Sequence, residues 1–244
     1  MKKLNFIGLL IVFAFVACDK DNDAPRYISV GSIEKTGNAS TDFIVNLDNG
    51  KVLTPIQIFD NNNVADGDRV TVDYDIIEKK GTNDYDVNIY DIDDILTKGV
   101  LQLTEQNKDS IGNDPIHACD DDIWISDKHL NIVFDYFGYS KTHFINLVRP
   151  IGDTHNNDGR LILEFKHNAN ADYPSRLLRG IVSFELENLR EADETSVDFV
   201  VKVTDYGDVK FEWEGSYTFE STTKNAQFKL KNSNMFDYKN IDIK

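Results

Sequence analysis

The residues best equipped for chemistry in this chain are five histidines, two cysteines and a large excess of carboxylates. His117, His129, His143, His155 and His167 are scattered, and none forms a His-x-x-x-His or His-x-His pair. Zinc needs several nitrogen or sulfur ligands converging, and catalytic sites usually draw two of them from one element. The spacing therefore predicts strand-surface histidines and no metal, although paired strands could bring His143 and His167 together. Acid pairs abound: Asp84, Asp86 and Asn88 share one face of an alternating segment, as do Asp73 and Asp75. A glycosidase needs two carboxylates at a set separation beside a sugar-binding cleft, whereas solvated strand faces account for these residues without one. No Gly-x-Ser-x-Gly elbow, P-loop or dinucleotide fingerprint is present. The expectation is a non-enzyme with no catalytic residues and no cofactor.

Cys18 carries the clearest chemistry. Lys2 and Lys3 precede a mostly apolar run from Phe6 to Ala17, which ends in Phe15-Val16-Ala17-Cys18. This is the order of a secretory signal peptide, and a cysteine at the cut point marks a bacterial lipoprotein. Its thiol takes a diacylglycerol, the signal at 1–17 is removed, and the new amino terminus is acylated with a fatty acid such as palmitate. Phe15 stands where leucine is usual. A transmembrane helix needs about 20 apolar residues, more than this run supplies. With Cys18 lipidated, Cys119 has no partner, and Asp120, Asp121 and Asp122 beside it would raise a thiol pKa rather than activate it.

Loss of the signal removes two lysines and leaves 24 basic against 42 acidic residues, a net charge of −18. Such a chain repels nucleic-acid phosphates and anionic lipid head groups, so the lipid alone must anchor it. The 41% hydrophobic content is enough for a real core. Residues 18–25 read as a lipidated acidic tether. Asp19, Asp21 and Asp23 have the spacing of a calcium loop, but Ala24 and Val30 stand where glycine and glutamate are required. An acidic run behind a lipidated cysteine does resemble the surface-export signal of some Gram-negative anaerobes, which implies the outer membrane and its outer face.

The positioning elements are strands. Phe43–Leu47 and Val52-Leu53 flank Asp48-Asn49-Gly50-Lys51, and Asn-Gly between apolar runs is a strong hairpin signal. Val70, Val72, Tyr74 and Ile76 alternate with polar residues, as do Tyr85, Val87 and Ile89, and Leu130, Ile132, Phe134 and Tyr136 fall on alternating positions. Further strands are predicted at 123–125, 143–148, 161–165, 181–186, 197–203 and 211–219. Only Ile92, Ile95 and Leu96 have helix-like spacing. The polar segment 107–114, closed by Pro115, reads as a domain junction. Five strands before it suit a small OB-like barrel and about seven after it suit an antiparallel β-sandwich. The expected division is thus 1–17 signal, 18–25 tether, 26–106 barrel, 107–221 sandwich and 222–244 extension. In the extension, Phe228 and Leu230 alternate with Lys229 and Lys231 as an edge strand would. Tyr85, Tyr90, Tyr136, Phe137 and Tyr139 fall near turns or on mixed faces, where a sugar or a protein partner could stack.

Several strings carry a family resemblance. They are Val45–Gly50, Leu96-Thr97-Lys98, Leu103-Thr104-Glu105, Asp109–Ile116, Ile123–Ser126, Leu130-Asn131-Ile132, His143–Val148 and Leu163–Asn168. Together they resemble the NigD-like lipoproteins over about Tyr27 to Val203, most specifically at Asp109-Ser110-Ile111-Gly112-Asn113-Asp114-Pro115. The resemblance implies an OB-like domain and a C-terminal β-sandwich on a lipid anchor, with a bacteriocin-immunity role and no defined catalytic residues. Asp109-Ser110-Ile111 also resembles the Asp-Ser/Thr-apolar acceptor of an anaerobe O-glycosylation system, making Ser110 a candidate modification site. The expected function is a lipid-anchored envelope binding protein that captures a peptide or protein toxin. The alternative is a carbohydrate-binding accessory surface lipoprotein that takes a glycan.

Overall fold

The computed structural model describes residues 25–59, 63–191 and 193–219. Cys18, the acidic tether at 19–24 and the alternating tail segment around Phe228 lie outside them. The first five strands are β1 (Arg26–Lys35), β2 (Phe43–Leu47), β3 (Val52–Ile58), β4 (Arg69–Lys79) and β5 (Asp84–Asp94). They close a barrel in the order β1-β2-β3-β5-β4, with β4 returning to β1. Alternation sets the inner face: Phe43, Val45 and Leu47 of β2 are buried, while Ile44 and Asn46 between them are half-buried. The Asn49-Gly50 turn joins β2 to β3, with Gly50 at φ 79° and Leu47 N–H donating to Lys51 O at 2.8 Å. Curvature on β1 requires Gly31, where a Cβ would lie 2.7 Å from the Asn46 carbonyl oxygen. Leu53, Val70, Val72, Val87 and Ile89 fill the interior without measurable exposure, each contributing about 1.5–3 kcal/mol by leaving water.

The remaining strands build the sandwich. They are β6 (Leu96–Gly99), β7 (Leu101-Gln102), β8 (Ile123–Ser126), β9 (His129–Gly138), β10 (Phe144–Arg149), β11 (Leu161–Asn168), β12 (Arg176–Glu185), β13 (Ser196–Thr204) and β14 (Lys210–Thr218). One sheet runs β14-β13-β11-β10-β7 and the other β6-β12-β9-β8. Leu130, Ile132, Leu147, Leu163, Phe184 and Phe199 pack between them with no exposure.

The domain junction differs from the sequence expectation. The barrel ends at Asp94, and residues 96–102 already belong to the sandwich: β6 pairs parallel with β12, and β7 pairs parallel with β10. Segment 107–114 is no linker either. It holds the one-turn helix α1 (Lys108–Ile111) and bonds to β11 through Asp114 N–H to His167 O at 2.8 Å. The helix-like spacing of Ile92 and Ile95 also has another cause. Ile92 faces the barrel core, while Ile95 enters the separate cluster between the domains, so their separation reflects two cores and not one helical face.

That seam between the domains is held by one guanidinium. Arg69, at the start of β4, has a side chain 1% exposed and directs both terminal nitrogens at Asp48, at 2.6 and 2.7 Å. Its remaining donors reach Ser32 Oγ at 3.1 Å, Asn131 Oδ1 at 2.7 Å and Ser183 Oγ at 3.5 Å, so all five N–H groups are placed. Trp124 Nε1 donates to Asp48 Oδ2 at 2.8 Å, the oxygen that also accepts one Arg69 nitrogen. Val30 and Ile95 meet Val133 and Ile181 of the sandwich beside this cluster. His129 is buried nearby and its Nδ1 has no hydrogen-bond partner among the described residues. Burial first, then the charge of Arg69, pushes its pKa down to about 4.

Candidate functional site

The end of the sandwich where β9 stops and β10 and β12 begin gathers the groups that the sequence scatters. Strand pairing sets Ile145 opposite His167, which brings His143, two residues earlier, beside that histidine. His143 Nδ1 lies 2.7 Å from His167 Nε2, and the rings stack with centroids 5.0 Å apart. His143 Nε2 lies 3.2 Å from Asp172 Oδ2, and His167 Nδ1 lies 3.2 Å from Pro115 O. Gly138 makes room for this chain, since a Cβ there would sit 2.9 Å from His143 Nε2. The buried Tyr136 ring packs against both imidazoles, at 4.7 and 5.7 Å.

These bonds tie loops together. Burial opposes ionisation of Asp172, but the backbone N–H of Tyr139 and then the His143 ring outweigh it and hold the carboxyl well below its usual range. Asp172 also accepts from Ser140 N–H at 3.1 Å, and Lys141 Nζ donates to Asn170 O and Ala171 O at 3.0 and 2.9 Å. Burial lowers the pKa of His167, and the neighbouring His143 adds to the effect. The nitrogens of the two rings face each other, so they bond to one another and do not converge on a common point. Among the described residues no group of three or more histidine, cysteine, aspartate or glutamate side chains is arranged to hold a metal ion.

Exposed apolar side chains surround this braced end on both sheets and on the loops. Phe137 and Leu177 are cross-strand neighbours on the outer face of the four-stranded sheet. Tyr139 and Tyr173 stand on the two loops, 59% and 72% exposed, and Phe144 opens β10. Tyr206, from the turn between β13 and β14, packs edge-on against Phe137 at 5.4 Å and accepts its backbone N–H. Large exposed apolar side chains grouped this way mark a contact surface.

The five aromatics singled out by sequence thus divide. Phe137 and Tyr139 belong to this surface, and Tyr136 is core beneath it. Tyr85 is half-buried on the barrel, with Lys51 and Lys79 over its ring. Tyr90 lies on the barrel's outer face, stacked on Phe59. Of the other histidines, His117 pairs with Asp205 at 2.6 Å and His155 is exposed. Asp73 is bonded to Arg26, Asp75 accepts from Tyr90, and Asp86 is bonded to Lys80. Cys119 is exposed and free, its thiol pushed up by partial burial and by Asp122. Ser110 is exposed on α1 and its hydroxyl donates to Asn107 O at 2.8 Å. Sequence reading missed Tyr173 and Leu177; the Tyr-Pro-Ser turn signal before β12 was the available pointer to that loop.

Comparison with known proteins agrees with this architecture. Residues 34–95 match the NigD-like N-terminal OB domain, and residues 99–217 match the NigD-like C-terminal beta sandwich domain. No curated protein matches the sequence. Among solved structures, a protein described as toxin-related from Parabacteroides distasonis is 28% identical with a TM-score of 0.66, over 80% of this chain and 94% of that one. A protein of unknown function from Bacteroides vulgatus is 23% identical with a TM-score of 0.64, over 84% and 96%. A NigD-like immunity protein from Bacteroides caccae is 17% identical with a TM-score of 0.61, over 80% and 97%, a likeness of fold. On two adjoining domain matches that together span most of its length, this chain belongs to the NigD-like family.

Proposed function

We propose that this protein is a non-enzymatic binding lipoprotein of the cell envelope, attached through Cys18 to the outer membrane, with an immunity or envelope-protection role. The observation that carries the binding reading is the exposure of Phe137 and Leu177 on the four-stranded sheet beside Tyr139 and Tyr173 on loops braced by buried hydrogen bonds, with Phe144 exposed on the other sheet at the same end. Rigid aromatic anchors lose little conformational entropy on contact, and such residues dominate protein interfaces. The polypeptide captured is cationic on this reading, because a surface at −18 speeds the approach of positive charge. A soluble form lacking residues 1–18 should retain a radiolabelled cationic bacteriocin from a related strain, and a gene deletion should raise sensitivity to it. Unchanged sensitivity in the deletion strain would remove the immunity role.

The phenol rings of Tyr139 and Tyr173 stand open to solvent and favour a second reading, a glycan-binding accessory lipoprotein. Glycan-array binding that disappears in Tyr139→Ala and Tyr173→Ala proteins would select it over immunity. Ser110 is proposed as an O-glycosylation site because it is exposed behind Asp109 on α1. Intact-mass analysis showing an unmodified Ser110 peptide in the exported protein would end that idea.

A further inference from the structure

The outer face of the barrel carries a second apolar surface, separate from the end of the sandwich. The pairing of β5 with its neighbours is interrupted three times, once on β3, once on β4 and once on β5 itself, where Tyr90 is skipped between Ile89 and Asp91. On β3 the register slips between Pro55 and Gln57, and on β4 it slips between Ile76 and Glu78. The extra residues at these bulges are Ile56 and Ile77, and they are 59% and 51% exposed. A bulge re-aims a side chain away from the ladder, and here two large aliphatic residues are re-aimed into solvent on either side of Val87, Ile56 opposite the Val87-Asn88 step and Ile77 opposite the Asp86-Val87 step. Further along β5, Tyr90 stacks on Phe59 with ring centroids 5.0 Å apart and planes 9° from parallel. Phe59 is itself 52% exposed. The guanidinium of Arg26 covers the Tyr90 ring at 4.2 Å and is bonded to Asp73.

Arg26 opens β1, only eight positions after Cys18. At about 3.3–3.6 Å per residue, that stretch of chain spans at most roughly 28 Å even when fully extended. A lipid on Cys18 therefore keeps the start of β1 within one short reach of the bilayer. The surface found there mixes aliphatic, aromatic and arginine side chains with two carboxylates, Asp73 and Glu78, that are paired with Arg26 and Lys80. The aliphatic, aromatic and arginine groups suit the zone between head groups and acyl chains.

We propose that this face of the barrel, formed by Ile56, Phe59, Ile77 and Tyr90 with Arg26, rests on the lipid surface, leaving the end of the sandwich free for its partner. The inference depends on the lipid-anchor reading of Cys18. The occupant is a bilayer rich in zwitterionic lipid, because a chain at −18 is repelled by anionic head groups. The acyl chain supplies attachment, and the face supplies orientation.

The test uses the mature lipidated protein in vesicles of phosphatidylethanolamine and phosphatidylcholine whose acyl chains are brominated near the head group. F59W replaces an exposed ring by a larger one, and F137W places the same reporter on the sandwich. The unsubstituted protein gives the emission of the native tryptophans as baseline. The expected result is a blue-shifted added emission quenched by bromine for F59W, with neither effect for F137W. An acylated protein that floats with the vesicles while F59W emission stays unquenched would overturn the docking and leave the anchor standing. Quenching of F137W alone would assign the membrane side to the sandwich and also overturn it. A protein without acyl mass that neither floats nor shows quenching would overturn both.

Discussion

The barrel and the sandwich solve the problem of sheet edges differently. The barrel closes on itself through the β1–β4 pairing, so every one of its strands has two neighbours. The sandwich leaves β14, β7, β6 and β8 at the margins of its sheets, and part of one outer face is apolar at Val133 and Ile181. That part is covered by the barrel, through Val30 and the Arg69 cluster. The closed domain is therefore complete in itself, whereas the open one borrows a surface from it. The difference teaches that coupling between the domains should matter more to the sandwich than to the barrel, and substitutions at the seam can break that asymmetry.

The largest effect is expected from Arg69→Ala, which leaves Asp48 buried and unpaired and costs roughly 3–5 kcal/mol. Calorimetry should show both domains melting earlier, the barrel because Asp48 is left without its countercharge and the sandwich by more, because Asn131 and Ser183 lose their donor and the covering surface loosens. A single transition at the unaltered midpoint would refute the asymmetry. Replacing both partners, as Arg69→Met with Asp48→Asn, should recover much of the loss, because no buried charge is then stranded. His129 sharpens the comparison through pH. Its folded pKa, pushed down to about 4 by burial and then by Arg69 and Lys128 against the pull of Asp127 and Asp48, lies below the unfolded value near 6.5. Between those values the unfolded chain binds the extra proton, so acidification destabilises the fold, by on the order of 2 kcal/mol across that window. Urea midpoints at pH 7 and pH 5 should diverge in the native protein and converge in His129→Gln.

Smaller effects belong to the end of the sandwich. Asp172 is held below its ordinary pKa, so its contribution is present above about pH 3.8 and lost as the pH falls through its folded value. Asp172→Asn should speed amide exchange at Tyr139 and Ser140 several-fold while exchange in β4 and β5 stays unchanged. Least of all for stability, Phe137→Ala with Leu177→Ala should shift folding by no more than about 0.5 kcal/mol yet weaken capture of the partner roughly tenfold or more. Retained capture would move the binding surface elsewhere.

Much of this architecture is legible in the sequence, because strands with one buried face alternate in plain view. Tyr136 belongs to the run Leu130, Ile132, Phe134, and its place in the core follows from that alternation. The hairpin at Asn49-Gly50 is equally direct. The junction was hidden because Ile92 and Ile95 serve different cores, which produces a helical spacing without a helix. The seam was hidden for a different reason: Arg69 finds its partners 21, 62 and 114 residues away, and nothing local announces them. His143 and His167 were recognisable as a possible couple, but only the β10–β11 register decides whether they meet.

The way the chain leaves the barrel sets limits on recombination. Directly after Asp94 it donates one strand to each sheet of the following domain, β6 to the four-stranded sheet and β7 to the five-stranded one. An exchange of barrels between relatives that cuts at residue 106 would carry both strands away with the wrong partner and strip a margin from each sheet. A viable chimaera has to be joined at Ile95, the single residue between β5 and β6. Gene shuffling in such proteins is thus confined to a very narrow window, and the two halves are expected to be inherited together.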